Sequence, residues 1–217
     1  MVSPRYVVLE GINGCGKGAQ AALLTYALRS TGRTVYEDRE PGTGPVGRLI
    51  RRILEDGTEA ERRALPGLFL ADRTMAAPDR VAALERGEVI VQDRCFLSSV
   101  VHQADYYPRG HLLSMHHCLP VYPDLILVLD VPAEEARRRI VARLGEGEVR
   151  EDCHERSVGA LEEYRERYLR LCGAEVCVFS DKNGLIQHVR VVRVDGMGTP
   201  HEVHGRVMDA LRRDGME

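Results

Sequence analysis

Residues 7–19 read VVLEGINGCGKGA, and this stretch decides the fold. It begins inside Arg5–Glu10, a short run rich in β-branched residues that suits a strand. Gly11, Gly14 and Gly16 then break the run, and Lys17–Ser30 has the composition of a helix. A strand, GxxxxGK and a helix in that order make a P-loop. Its glycines let backbone N–H groups turn inward onto phosphate oxygens, and the helix N-terminus adds positive potential. Lys17 brings a point charge to the outer phosphates. The cradle comprises Gly11, Ile12, Asn13, Gly14, Cys15, Gly16, Lys17, Gly18 and Ala19. Such loops usually follow the lysine with Ser or Thr, whose hydroxyl helps hold Mg²⁺. Here Gly18 and Ala19 stand instead, so the anion cradle is kept and the hydroxyl is lost.

Outward from this loop the chain alternates strands and helices. Thr34–Glu37, Val89–Gln92, Asp124–Leu129 and Val189–Val194 read as strands. Arg48–Glu55, Pro66–Arg86 (bent near Pro78), Pro132–Arg143, Arg156–Cys172 and Glu202–Arg213 read as helices. Such alternation predicts a three-layer α/β/α domain around a five-stranded parallel sheet. Val176–Phe179 and Leu185–Val194, joined through Asn183-Gly184, predict a C-terminal hairpin that adds one strand. Leu144–Glu155 is charged, glycine-bearing and not amphipathic, and is expected to be a short lid. No repeat or linker divides residues 1–217, so one domain is expected.

Composition narrows the function. With 217 residues and 44% hydrophobic content, the chain can bury a sizeable core. A formal charge of −3 excludes a protein that coats nucleic acid through bulk positive charge. No apolar run approaches the length of a membrane span, and MVSPRYVVLEG lacks a signal-peptide core. Six cysteines without a CxxC pair read as reduced thiols, which suits a cytoplasmic protein. Of 30 basic residues only Lys17 and Lys182 are lysine. Codon bias accounts for most of that arginine excess; some arginines can serve as planar forks for phosphate.

Position selects which. In a parallel sheet the C-terminal strand ends face the ligand crevice. Arg39, Asp93 and Arg94 follow the second and third strands, so they should converge near the P-loop. A carboxylate there suits Mg²⁺, and two arginines suit an acceptor phosphate. Phe69 and Arg73 lie four apart on one helical face, where an aromatic and a guanidinium could stack on and read a nucleobase. His116-His117-Cys118 lacks zinc-site spacing and reads as structural or surface.

The whole set resembles the thymidylate kinase family. The motifs are VVLEG-x4-GK, REPG at 39–42, LFLADR at 68–73, ALERGEVIVQDR at 83–94, SS-x3-Q at 98–103, YPDLILVLDVP at 122–132 and VDGMGTPHEV at 194–203. The resemblance implies a single nucleoside-monophosphate kinase domain, with ATP as co-substrate and Mg²⁺ as cofactor. It also implies that Arg39 and Arg94 bind the acceptor monophosphate and that Phe69 stacks on a pyrimidine. Arg73, Ser98, Ser99, His102 and Gln103 then line the base and sugar, and Asp93 organises the metal. Lys17, Arg94, Asp93 and a lid arginine (Arg143, Arg150 or Arg156) would form the catalytic set. The implied partners are small nucleotides, with a homodimer possible and neither nucleic acid nor membrane involved. The chain departs from the family pattern at Asn13, Cys95, Leu97 and His102. Two alternatives therefore stand beside dTMP phosphorylation: a kinase for another or modified pyrimidine deoxynucleoside monophosphate, and a catalytically weak nucleotide-binding regulator.

Overall fold

The computed structural model describes residues 5–144, 157–173, 175–179 and 186–215. Among them, β1 (Tyr6–Glu10), β2 (Val35–Arg39), β3 (Val89–Asp93), β4 (Leu125–Asp130), β5 (Glu175–Phe179) and β6 (Ile186–Asp195) form one sheet in the order β2-β3-β1-β4-β6-β5. The first five in that order are mutually parallel, and β5 pairs antiparallel with β6 at the edge. This is the expected five-stranded parallel core with one hairpin strand added. Asn183 and Gly184, read as the hairpin turn, lie outside the described residues.

The central strands are apolar almost throughout because both faces are covered. Every residue of β1 and β4 is buried. The flanking helices are α1 (Lys17–Ser30), α2 (Pro45–Asp56), α3 (Glu59–Glu85), α4 (Phe96–His102), α5 (Arg109–Met115), α6 (Ala133–Leu144), α7 (Val158–Leu169) and α8 (Pro200–Arg213). A 3₁₀ turn at His116–Cys118 follows α5. A second, smaller apolar cluster joins α2 and α3 through Ile50, Ile53, Leu65 and Phe69.

Three differences from the sequence reading have physical causes. Helix α3 starts seven residues before Pro66, because Thr58 and Glu61 form a capping box that satisfies its first amides. Helix α4 is buried at all seven positions, so it has no polar face for a helical period to reveal. Arg39 and Asp93 are the last residues of β2 and β3 rather than the first residues after them. The lid expected at 144–155 keeps Leu144 as the end of α6; the rest of it, with Arg150, and also Arg156, lie outside the described residues. No described helix is long and apolar enough to cross a membrane.

Candidate active site

The P-loop leaves β1 at Glu10 and enters α1 at Lys17. Gly14 has φ 82, and a side chain there would meet the carbonyl oxygen of Ala136 at 2.3 Å, so glycine is required on both counts. No side chain caps α1, and its first turn carries no acidic residue. That unfilled helix start is a ready anion site. The Lys17 ammonium is buried and donates to the carbonyl oxygens of Gly11 and Ile12, each at 2.9 Å. The lysine thus rests on the carbonyls of its own cradle.

Two cavities open from the C-terminal ends of the strands. One, of about 400 Å³, is lined by Asn13, Gly14, Gly16, Lys17, Gly18, Ala19, Asp93, Arg94, Arg139 and Arg143. The other, of about 510 Å³, is lined by Gly18, Ala21, Ala22, Tyr36 to Arg39, Gly42, Thr43 and Asp93. Gly18 and Asp93 line both, so the cavities meet there. The buried Oδ1 of Asp93 has no hydrogen-bond partner among the described residues. A side chain on Gly18 would begin 3.5 Å from Asp93 Oδ2. An unsatisfied carboxylate oxygen beside open space fits a hydrated divalent cation.

The first cavity carries four cationic side chains against Asp93. Arg94 has a left-handed backbone, φ 70, and its Nη2 donates to Asn13 Oδ1 at 2.6 Å while Nη1 donates to Ser98 Oγ at 3.1 Å. Arg143 is exposed and has no ion-pair partner among the described residues. Arg139, which no sequence motif singles out, also lines this cavity and donates to the carbonyl of Gly196 at 3.2 Å, linking α6 to the loop before α8. In the second cavity, Glu37 and Asp38 are paired with Arg29 and Arg80, while Arg39 is exposed with no ion-pair partner among the described residues.

The remaining predicted residues form one wall. Arg73 is 1% exposed and sits 5.2 Å from the centre of the Phe69 ring. Its Nε donates to Glu40 Oε2 at 2.7 Å, its Nη1 to Ser99 Oγ at 2.9 Å and its Nη2 to the carbonyl of Cys95 at 2.9 Å. Ser98 Oγ donates to the buried Glu10 carboxylate, which also accepts from the Cys95 and Ser98 amides and from Tyr168 Oη. His102 lies against Tyr164, with ring centres 4.4 Å apart. Gln103 Oε1 is buried without a hydrogen-bond partner among the described residues. Burial pushes the Cys95 thiol well above its ordinary range, with the Glu10 and Glu40 carboxylates adding to the rise, so it stays protonated.

Sequence reasoning missed Glu10, Glu40, His116 and Tyr168, all buried in this wall. A carboxylate closing an otherwise apolar strand, as Glu10 does, was the available signal. Among the described residues no group of three or more His, Cys, Asp or Glu forms a metal cluster.

A family model described as Thymidylate kinase matches residues 9–190. Thymidylate kinase of Gluconobacter oxydans is 32% identical over 214 residues, covering 95% of this chain and 93% of that protein. Thymidylate kinase of Desulfotalea psychrophila is 34% identical over 144 residues, covering 65% of this chain and 71% of that protein. A probable thymidylate kinase of Methanothermobacter thermautotrophicus is 34% identical, with 82% of each chain covered. With a P-loop, two cavities meeting at Asp93, and a family match over most of its length, the chain belongs to the thymidylate kinase family.

Proposed function

We propose that the protein transfers the γ-phosphoryl group of ATP to dTMP, giving ADP and dTDP for nucleotide biosynthesis. The observation that carries this reading is the meeting of the two cavities at Gly18 and Asp93. The P-loop cavity takes the triphosphate of ATP, and the cavity at Arg39 takes the acceptor phosphate. The junction is where the γ-phosphorus meets the acceptor oxygen.

No covalent intermediate is needed. A phosphate monoester has a second pKa near 6, so the acceptor oxygen is already anionic near neutral pH and no general base is required. The protein's work is alignment and charge neutralisation. Lys17 exchanges its loop carbonyls for β- and γ-phosphate oxygens. Arg39 and Arg94 hold the acceptor phosphate, and an arginine from the lid side (Arg143, Arg150 or Arg156) meets the charge on the transferring group. Asp93 is the residue to hold Mg²⁺, which would draw electron density from the phosphoryl oxygens. Phe69, Arg73, Ser98, Ser99, His102 and Gln103 form the base and sugar wall. The protein is read as cytoplasmic and homodimeric.

The test is a panel of deoxynucleoside and nucleoside monophosphates with ATP and Mg²⁺, followed by ADP release. dTMP is expected to give the highest kcat/KM. If another monophosphate is clearly preferred, the specificity is wrong. If wild type transfers no more than the Lys17→Ala variant, the enzymatic reading is wrong.

A further inference from the structure

His116 has no part in the transfer above, yet it is fully buried and bonded to the acceptor wall. Its two ring nitrogens face different chemistry. Nδ1 lies 2.7 Å from the carbonyl oxygen of Leu112, which can only accept, so Nδ1 carries the proton. Nε2 is therefore bare, and it lies 2.7 Å from Nη1 of Arg73, which can only donate. The ring is held in place: Tyr122 Oη donates to the backbone carbonyl of His116, and Phe96 tilts against the imidazole at 5.8 Å between ring centres. With Glu40, Ser99 and Cys95, His116 makes four acceptors around the Arg73 guanidinium, and the Glu40 carboxylate pairs with both its Nε and Nη2.

Those partners come from separate segments. Glu40 adjoins Arg39, Cys95 adjoins Arg94, and Arg73 itself shares α3 with Phe69. Arg73 thereby ties together the strand ends and the helix that build the acceptor side. Its hydrogen bonds are spent on that wall rather than left open toward the cavity.

We propose that His116 is a positioning residue for the acceptor nucleotide: locked in one neutral tautomer, it fixes the orientation of Arg73 and, through it, the spacing of Arg39, Phe69 and Arg94. A cationic imidazole could not do this, since two cations would meet at hydrogen-bond distance. Burial, together with the Arg73 charge, lowers the His116 pKa to about 3, so the neutral ring is the one present across the working range.

The inference rests on the cavity beside Arg39 being the acceptor site, and the test separates the two claims. Steady-state constants for dTMP and ATP are measured for wild type, His116→Met and His116→Gln. Met keeps volume without a strong acceptor, while Gln places an oxygen where Nε2 was. His116→Met is expected to raise KM for dTMP by roughly tenfold or more, the size of one hydrogen bond to a charged group. KM for ATP should hold, and His116→Gln should recover most of the loss. If both KM values move together, or neither moves, or Gln is no better than Met, the inference is overturned. Failure of wild type to use dTMP would instead overturn the acceptor reading. A measurement on wild type needs no variant to fold. Long-range ¹H–¹⁵N spectra should show the Nδ1–H tautomer of His116 unchanged down to about pH 5. An Nε2–H tautomer, or titration near the ordinary histidine value, overturns the inference.

Discussion

Arg94 joins a strained backbone to a side chain that lines the P-loop cavity beside Asp93, and two substitutions pull these apart. Its φ of 70 is unfavourable for any residue with a Cβ. A left-handed backbone costs about 1–2 kcal/mol for a non-glycine residue. Arg94→Ala keeps that strain and removes the bonds to Ser98 Oγ and Asn13 Oδ1. Each such bond contributes about 1 kcal/mol net, and Ser98 loses little because Glu10 still accepts from it. Arg94→Ala should therefore destabilise by about 1–2 kcal/mol. Arg94→Gly loses the same bonds but also the strain, and should be near neutral. The usual order, with glycine about 0.5–1 kcal/mol worse than alanine, is inverted. For a chain of this size 1 kcal/mol is about 2–4 °C in Tm, which thermal melting resolves. Both variants lose the fork beside Asp93, and kcat/KM for dTMP should fall by about 10³-fold or more in an ADP-release assay. An alanine variant that melts at or above the glycine variant refutes the backbone argument. A variant that keeps activity within about tenfold of wild type refutes the placement of Arg94 at the transfer point.

Further outcomes follow from the same geometry. Lys17→Ala should abolish transfer, by about 10³-fold or more, while leaving the melting temperature nearly unchanged, because the ammonium's bonds, to the Gly11 and Ile12 carbonyls and the Cys15 sulfur, stay within its own loop; a large loss of Tm would show a structural role instead. Gly18→Ser places a hydroxyl beside Asp93 Oδ2, in the space a Cβ would enter at 3.5 Å. Titration of Mn²⁺ with ADP by electron paramagnetic resonance should show tighter cation binding in this variant, and unchanged or weaker binding would place the cation elsewhere. For His116 the folded pKa of about 3 lies below the ordinary value of about 6.5. The unfolded state therefore binds the proton more readily. This contribution to stability is complete above about pH 6.5 and is lost as pH falls toward 3, by roughly 4–5 kcal/mol in total. His116→Gln should flatten that part of the stability–pH curve, and an unchanged slope would show that other groups produce it.

The parts of this protein legible in its sequence are those whose physics is local. β1, β3 and β4 show themselves as apolar runs because burial on both faces leaves no room for alternation. The P-loop shows itself because its glycines, lysine and helix are consecutive. Arg39, Asp93 and Arg94 follow from the rule that ligands sit at the C-terminal strand ends, and the cavities bring them together with Lys17. What stayed hidden depends on pairs distant in sequence. His116 reads as an ordinary histidine until Arg73, 43 residues away, is found against it. Glu10 reads as the end of a strand until Tyr168, 158 residues away, donates to it. Arg139 gives no signal of its own, because spacing alone does not tell which of the consecutive Arg137, Arg138 and Arg139 lines a cavity.

The arginine excess has a structural sorting that composition could not supply. Most described arginines are engaged with carboxylates: Arg29 with Glu37, Arg80 with Asp38 and Glu40, Arg165 and Arg193 with Asp130. Arg165 and Arg193 clamp Asp130 at the end of β4, beside the loop that carries Gly196. These pairs cancel charge locally; the net charge of −3 itself follows from 33 acidic against 30 basic residues. Arg39 and Arg143 differ: each lines a cavity and has no ion-pair partner among the described residues. Leaving a cation without a carboxylate partner gives up a modest stabilisation at the surface, about 0–1 kcal/mol. The same unpaired charge is worth far more once a phosphate displaces water from the cleft, because the effective dielectric falls. Unpaired arginines on both sides of Gly18 and Asp93 therefore raise the potential at the meeting point of the cavities, and a small polyanion is the ligand such a field selects.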